Sequence, residues 1–244
     1  MAPWRILLGL ACPLVMGHLS VGAAAAETAQ VIGRATFVAG PVTVGGASDV
    51  PRPLRVGDPL RWGDVVEARK DAMARVLLGG ATTVMVRELS RLALREEAVA
   101  TGMRYVVELL AGKVRTSVNR ALMRPGDEVE VRSRNAVASV RGTDFVVQTV
   151  AAPARPSLGL LDVPGPTTRQ RLGHPTETMV HTLSGVVQVA SRLLMPHRLE
   201  QIGARETVRV SGEHDPARVR FSPGDLKQIL EGLTLPGPDP TRTP

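Results

Sequence analysis

The chain has 244 residues, a formal net charge of +7 and a hydrophobic fraction of 43%, but only 2% of its residues are aromatic. This length is sufficient for one substantial domain with its own core. The scarcity of aromatic side chains removes the stacking platforms that single-stranded nucleic acids need, so nucleic acid is not expected as a partner.

Residues 1–26 have the pattern of a secretory signal peptide. Arg5 supplies a positive charge, residues 6–15 form an apolar run, and residues 24–26 (Ala-Ala-Ala) fit a cleavage site. We therefore predict a mature periplasmic protein that begins near Glu27, with an uncleaved membrane anchor as the alternative. Cleavage would remove Cys12, which is the only cysteine, and with it any disulfide, thiol nucleophile or cysteine metal site.

Residues 27–150 are predicted to form a β domain because apolar residues alternate with polar ones at period two. Gly40-Pro41 and Ala111-Gly112 each separate two such runs and are predicted as strand-pair turns, as is Gly79-Gly80. A glycine precedes an alternating strand at Gly40, Gly112 and Gly185. This recurrence predicts one turn geometry that is reused along a layered β structure.

Two Gly-Asp pairs, Gly57-Asp58 and Gly63-Asp64, lie six residues apart. Gly and Asp both tolerate left-handed backbone conformations, so the pairs are predicted as two successive tight turns with a structural role. A metal site built on the two aspartates is not expected, because oxygen-only sites need more ligands and no third one is near in sequence.

The segment 137–147 contains a compact polar corner between two alternating runs. Gly142 permits a positive φ, and the side chains of Arg141, Thr143 and Asp144 can satisfy the backbone groups of the corner. Two interpretations stay open. Gly142 and Thr143 are expected in a structural turn, whereas Arg141 and Asp144, together with Arg134, are candidates for a recognition surface.

The chain after residue 150 changes character. Residues 151–177 are rich in proline and glycine and are predicted as an insertion, either a functional lid or a segment with little regular structure. Residues 178–212 resume the alternation and are predicted as closing strands of the β domain. Residues 213–244 are predicted to hold a short helix, capped by Ser222-Pro223 or Asp225, and a proline-rich tail.

No catalytic constellation is apparent in the sequence. The four histidines after residue 26 lack metal-ligand spacing, and neither a nucleophile elbow nor a phosphate-binding loop is found. Adjacent acidic residues such as Glu96-Glu97 point to opposite faces of a strand. We therefore predict no enzymatic activity, no cofactor and no metal.

Several of these motifs resemble the FecR domain family of bacterial cell-envelope proteins. The similar elements are Leu54-x-x-Gly57-Asp58 with Gly63-Asp64, Ala74-x-Val76-x-Leu78-x-Gly80, Leu92-x-Leu94, Leu109-x-x-Gly112-x-Val114, the corner Val140-Arg141-Gly142-Thr143-Asp144-Phe145 and Gly185-Val186-Val187-x-Val189. The resemblance covers roughly residues 30–150 and, after the insertion, extends to about 211. It implies a mostly β, non-enzymatic envelope domain that binds other proteins or relays a signal.

The regulators that name this family carry a cytoplasmic anti-sigma segment and a membrane helix before the domain. Here the predicted signal peptide directly precedes it, and this departure from the family pattern argues for a stand-alone exported version and against direct sigma-factor control.

The sequence as a whole predicts a mainly β fold. We expect a layered antiparallel β-sandwich or β-roll, with a short β-solenoid as the alternative, followed by a short C-terminal helix. The predicted function is an exported binding or scaffold module of the envelope with a protein partner. The alternative is a cationic module that binds an anionic envelope polymer or membrane surface, because 27 of the 30 basic residues are arginines.

Overall fold

The computed structural model describes residues 30–46, 49–140, 142–151, 176–193, 199–211 and 216–233. These residues form mainly strands, with one 3₁₀ turn at Arg120–Leu122 and one helix near the C-terminus. The elements are β1 Val31–Ala39, β2 Val42–Gly45, β3 Arg52–Pro53, β4 Pro59–Arg61, β5 Val65–Ala68, β6 Met73–Leu78, β7 Thr82–Val86, β8 Ser90–Val99, β9 Gly102–Ala111, β10 Lys113–Val118, β11 Glu128–Arg132, β12 Ala136–Val140, β13 Asp144–Ala151, β14 Thr176–Ser184, β15 Val187–Ser191, β16 Leu199–Ile202, β17 Glu206–Val210, β18 Ala217–Arg220 and α1 Pro223–Leu230.

The strands form two nine-stranded sheets that face each other across one core, so the predicted β-sandwich is confirmed. Sheet I has the order β18-β17-β14-β13-β10-β7-β6-β1-β4, and sheet II has the order β16-β15-β12-β11-β9-β8-β5-β2-β3. From β6 onward the chain forms two consecutive strands in one sheet before it crosses to the other, except at β10, which is a single strand in sheet I. The antiparallel expectation is wrong at one place, because β9 and β11 pair in parallel. Between these two strands the chain makes a single strand, β10, in the opposite sheet and therefore returns in the same direction.

Four of the passages from one sheet to the other are made in one to three residues around a glycine with positive φ. These glycines are Gly40 (φ 70°), Gly112 (φ 92°), Gly142 (φ 81°) and Gly185 (φ 79°). The predicted reuse of one glycine position is thus present, but its role differs from the expected one. Gly40-Pro41 and Ala111-Gly112 do not close strand pairs, because β1 and β10 lie in sheet I whereas β2 and β9 lie in sheet II.

The hairpin predicted at Gly79-Gly80 is confirmed. Strands β6 and β7 pair antiparallel, with Leu78 opposite Thr82. Both glycines have positive φ, 55° and 73°, which is the combination that a tight hairpin with the twist of its strands requires.

The core consists of aliphatic side chains from the inner faces of both sheets. In sheet I, a row of valines in register crosses five neighbouring strands, and each valine is fully buried. Burial of a valine side chain contributes about 1.5–3 kcal/mol to the free energy of folding, so a core with few aromatic residues can still stabilise the fold strongly. The row consists of Val86, Val114, Val147, Val180 and Val208.

The C-terminal part of the described chain completes the sandwich and covers one face of it. Strands β14 and β17 extend sheet I, β15 and β16 extend sheet II, and β18 is an edge strand. Helix α1 begins with a capping box in which the side chains of Ser222 and Asp225 each accept a hydrogen bond from the other residue's backbone N–H. The domain limits drawn from the sequence stay predictions. Strand β13 ends at Ala151 and strand β14 begins at Thr176. Most of the segment 151–177 therefore lies outside the described residues.

We expect Gly112→Ala to destabilise the protein by several kcal/mol more than Gly57→Ala. The two glycines have nearly the same φ, 92° and 91°, and therefore carry the same backbone penalty of about 1–2 kcal/mol. A Cβ at Gly112 would lie 2.6 Å from the Cα of Ser90, whereas a Cβ at Gly57 meets nothing within 4 Å. Urea unfolding of both variants measures the difference. Equal losses would show that the crossing at Gly112 is not sterically constrained.

Candidate recognition surfaces

The polar corner after β12 is the crossing from sheet II to sheet I. A Cβ on Gly142 would lie 2.6 Å from the Cβ of Arg120, so glycine is required there on steric grounds as well as by its positive φ. Thr143 is 3% exposed, and its hydroxyl donates to the carbonyl of Val186 at 3.0 Å. Arg141 lies outside the described residues, so its predicted role in recognition stays a prediction.

Asp144 lies on the outer face of sheet I and is bound by one arginine of the neighbouring strand. Arg115 donates from Nε to Oδ1 at 2.9 Å and from Nη2 to Oδ2 at 2.6 Å. The hydrogen bond to Asp144 raises the pKa of the Arg115 guanidinium above its ordinary value, although burial opposes this. Because both carboxylate oxygens are engaged within the chain, the geometry supports a structural role for Asp144.

Arg134 lies far from Asp144. It is exposed in the turn between β11 and β12, at the end of β12 opposite the corner, and β12 spans roughly 17 Å. The same turn contains Asn135, which is buried and donates from Nδ2 to the carbonyl of Val210 at 2.7 Å, and this bond connects sheet II to sheet I. Arg134 and Asp144 are therefore not parts of one site.

The two Gly-Asp pairs form the same turn twice. In Arg55–Asp58 and in Arg61–Asp64, the aspartate N–H donates to the carbonyl of the arginine three residues before it, at 3.1 Å. The aspartate carboxylate accepts the N–H of that same arginine, at 3.0 Å in the first turn and 2.7 Å in the second. Gly57 and Gly63 occupy the third position with φ of 91° and 85°. Each carboxylate thus closes its own turn.

The outer face of sheet II carries a network of ion pairs that was not predicted from the sequence. We call Glu97, Arg104, Glu128, Glu130 and Arg132, from β8, β9 and β11, the ion-pair lattice. Arg132 binds Glu97 with both terminal nitrogens, at 2.6 and 2.9 Å, and donates from Nε to Glu130 at 2.8 Å. Arg104 pairs with Glu128 and lies 3.1 Å from Glu130.

The lattice is electrically almost balanced, with three carboxylates and two guanidinium groups. The hydrogen bonds that Arg132 donates to Glu97 hold the pKa of Glu97 below its ordinary value and raise the pKa of Arg132. The side chain of Glu130 is only 10% exposed and also accepts from the Ser139 hydroxyl at 3.2 Å. The sequence signal for this surface was the alternation Glu128-x-Glu130-x-Arg132, which places three charges on one face of a strand.

The outer face of sheet I is different, because α1 covers its centre. Ile229 and Leu233 pack with Met85 and Val146 in a cluster separate from the main core, and Met73 and Leu183 lie against this cluster. Two ionisable side chains of this face are also buried. Lys113 is 5% exposed and His181 is 7% exposed.

Burial dominates the electrostatics of both groups. Desolvation lowers the pKa of Lys113 to about 8, with a further lowering by Arg87 and an opposing contribution from Glu231. Desolvation lowers the pKa of His181 to about 4, and Lys113 adds to the effect. Lys113 Nζ donates to the carbonyl of Gln228, in the last turn of α1, at 3.2 Å. His181 Nδ1 lies 2.7 Å from Thr207 Oγ1.

Three of the four sheet edges carry features that disfavour pairing with another strand, and the fourth edge strand, β16, has only four residues. At one end, β3 and β4 are only two and three residues long, and each contains a proline. At the other end, Arg218 of β18 is opposite the buried Val208 and therefore points towards the space between the sheets. It donates to the carbonyl of Gln201 in β16 at 2.5 Å. Inward-pointing charges of this kind are a known protection of edge strands.

The comparisons with known proteins confirm the family resemblance. Residues 64–158 match the family model described as FecR protein. No curated protein matches the chain. Two crystal structures of a "putative anti-sigma factor" from Parabacteroides distasonis ATCC 8503, at 1.65 and 2.50 Å resolution, are similar to it, each with a TM-score of 0.45 and 19% identity. The alignments cover 69% of this chain and 65% and 64% of the other chains, so this chain spans less than two thirds of their length.

Loss of Arg132 should destabilise the protein more than loss of the exposed Arg95. We expect Arg132→Met to cost about 2 kcal/mol, because it leaves Glu130 buried with fewer hydrogen bonds. Arg95→Met should cost less than about 1 kcal/mol, because Arg95 and Glu108 form a solvated pair at 3.2 Å. Thermal and urea unfolding measure both losses. Equal losses would contradict a stabilising lattice.

The same two variants should also differ in how their folding stability depends on pH. Since the pKa of Glu97 is depressed in the folded state, its stabilising contribution is complete above its ordinary value of 4.5 and is lost as the pH falls through the lower, folded value. Arg132→Met should therefore flatten the acid loss of stability between about pH 5 and pH 3, and Arg95→Met should leave it steep. An unchanged acid profile in Arg132→Met would contradict this assignment.

A double-mutant cycle distinguishes the structural from the recognition role of Asp144. We expect Asp144→Asn and Arg115→Gln to be coupled by about 1–2 kcal/mol in urea unfolding, because the pair is bidentate and half-buried. A coupling near zero, combined with lost partner capture by Asp144→Asn at unchanged stability, would instead assign Asp144 to recognition.

Proposed function

We propose that this chain is an exported, non-enzymatic FecR-type module of the bacterial cell envelope that binds another protein or relays a signal through such binding. The observation that carries the proposal is the FecR match at residues 64–158, which spans β5 to β13 and thus the centre of both sheets. Among the described residues there is no group of three or more His, Cys, Asp or Glu side chains that could hold a metal ion. Their carboxylates instead serve mainly in turns and ion pairs.

The periplasmic location is part of the proposal. It is supported by the signal-peptide pattern of residues 1–26, which lie outside the described residues, and by the envelope association that the family implies. In the part of the chain that the structure describes, no helix is long and apolar enough to span a membrane.

Partner binding through a face of the sandwich fits the structure better than binding through an edge. An added strand needs free backbone groups along an accessible edge strand. Here the edge strands are short, and they contain proline (β3 and β4) or the inward-pointing Arg218 (β18). We therefore propose that the partner contacts an outer face.

The alternative function, binding of an anionic envelope polymer or lipid surface, is supported by the arginine excess. The ion-pair lattice does not add to this support, because its arginines are neutralised by three glutamates. Binding of this kind would have to use arginines elsewhere, such as the exposed Arg134, and it would weaken steeply with salt.

Site-specific photo-crosslinking in intact cells tests the proposed function. A photoreactive residue would replace Gln188 on the outer face of sheet II, Arg209 on the outer face of sheet I, or Arg52 on the edge strand β3, all of which are exposed. We expect a protein adduct of discrete mass from at least one face and none from the edge.

Adducts to lipid or glycan alone would favour the alternative function. In that case, sedimentation of the purified chain with envelope material should decrease as the ionic strength rises. Absence of adducts from both faces would contradict the proposed function.

A further inference from the structure

The apolar area beneath α1 has the properties of a docking site for a helix. We call Met73, Met85, Val146 and Leu183, from β6, β7, β13 and β14, the helix patch. It lies on the outer face of sheet I and belongs to a cluster that is separate from the main core. Two of its four members are methionines, whose flexible and polarisable side chains adapt to different apolar partners. Such a patch would be exposed to solvent if α1 were absent.

Helix α1 is a weak cover for this patch. It has only eight residues, which is below the length of about 12–15 residues at which an isolated helix becomes even marginally stable. Ile229 is its only buried residue. After the helix, Leu233 is fully buried. Before the helix, Phe221 packs edge-on against the His181 ring, with ring centroids 6.4 Å apart. Docking of α1 therefore depends on a few apolar contacts.

The polar groups at the C-terminal end of α1 are poorly satisfied. Arg87 pairs with Glu88 through Nη2 at 3.5 Å, but its Nε is buried without a hydrogen-bond partner, and a Cβ on Gly232 would meet that Nε. The buried Lys113 has a neutral carbonyl, that of Gln228, as the acceptor of its ammonium group. The Glu231 carboxylate contributes a favourable charge interaction with Lys113. The hydrogen bonds at this end of the helix are nevertheless incomplete, and a carboxylate would be a better acceptor for the Lys113 ammonium group than a carbonyl.

We propose that the helix patch is the docking site for an amphipathic helix of a partner protein, that α1 occupies it as an internal competitor, and that a carboxylate near the C-terminal end of the incoming helix pairs with Lys113 and Arg87. This inference rests on the proposed protein-binding function and assigns a surface and a partner class to it. The bound α1 defines the chemistry of the occupant: a helix with apolar side chains spaced like Ile229, Leu230 and Leu233.

A peptide-binding experiment with the full chain tests this inference. The probe is a fluorescently labelled synthetic peptide with the sequence of residues 220–233, measured by fluorescence anisotropy. In the variant Ile229→Ser with Leu233→Ser, α1 should leave the patch because its two fully docked side chains are lost. We expect this variant to bind the peptide at least tenfold more tightly than the natural chain does, and Lys227→Ala, on the exposed side of α1, to leave the affinity unchanged.

A second peptide tests the carboxylate. The Gln228→Glu peptide should bind the released variant about tenfold more tightly than the natural peptide does, which is the expected effect of one charge-assisted hydrogen bond. Lys113→Met in the released variant should abolish this gain, and Met85→Asp should abolish binding of both peptides. Equal affinity of the two peptides would overturn the assigned role of Lys113 and Arg87.

Amide hydrogen exchange is the control that the β-sandwich stays folded while α1 is released. In the variant Ile229→Ser with Leu233→Ser, it should show unprotected amides in residues 223–230 and intact protection in β13 and β14. If that pattern is present and neither peptide binds, the inference is overturned. Dimerisation of the released variant without peptide binding would make a second copy the occupant and would also overturn it. The assay contains no envelope material, so its failure is distinguishable from a failure of the proposed function in cells.

Discussion

The structure depends on a backbone constraint: the chain must pass repeatedly between two sheets within one to three residues. Gly40, Gly112, Gly142 and Gly185 make four of these passages, and all four have φ between 70° and 92°. A residue with a Cβ would be strained in this conformation, and at Gly40, Gly112 and Gly142 it would also collide with a neighbouring residue. Because each passage sets which sheet receives the next strand, these positions define the topology as well as the local turn.

The two outer faces of the sandwich solve the problem of solvent exposure in different ways. Sheet II satisfies its outer face with charges, and the buried Val106 lies between Glu130 of the ion-pair lattice and Arg95 on the neighbouring strands. Sheet I instead has an apolar centre that requires a cover, which α1 provides. A charged face with its pairs already formed has little to gain from a partner, whereas an apolar face under a short helix has more to gain.

This asymmetry connects the fold to the proposed function. Strand addition is disfavoured by the protected edges, and cationic attraction is weakened by the pairing of arginines with glutamates on sheet II and of Arg115 with Asp144 on sheet I. Under the proposed function, recognition uses the contact of apolar side chains on a face, which is directional only when polar groups at its border select the partner. Lys113 and Arg87 lie at that border.

The sequence by itself determined the local features of this protein. Alternation at period two identified the strands, the Gly-Asp pairs and Gly79-Gly80 identified their turns, and Ser222 with Asp225 marked the start of the helix. Each of these features depends on backbone preferences within a few residues. Only the tertiary structure decided which strands share a sheet. In the tertiary structure, Gly40 and Gly112 lie at passages between the sheets, and β9 pairs with β11 in parallel. It also gave Asp144 a partner 29 residues away and placed Lys113 beneath a helix 115 residues further along the chain. Such pairings follow from the packing of the whole chain, since nothing in a local pattern specifies which distant residue will meet it.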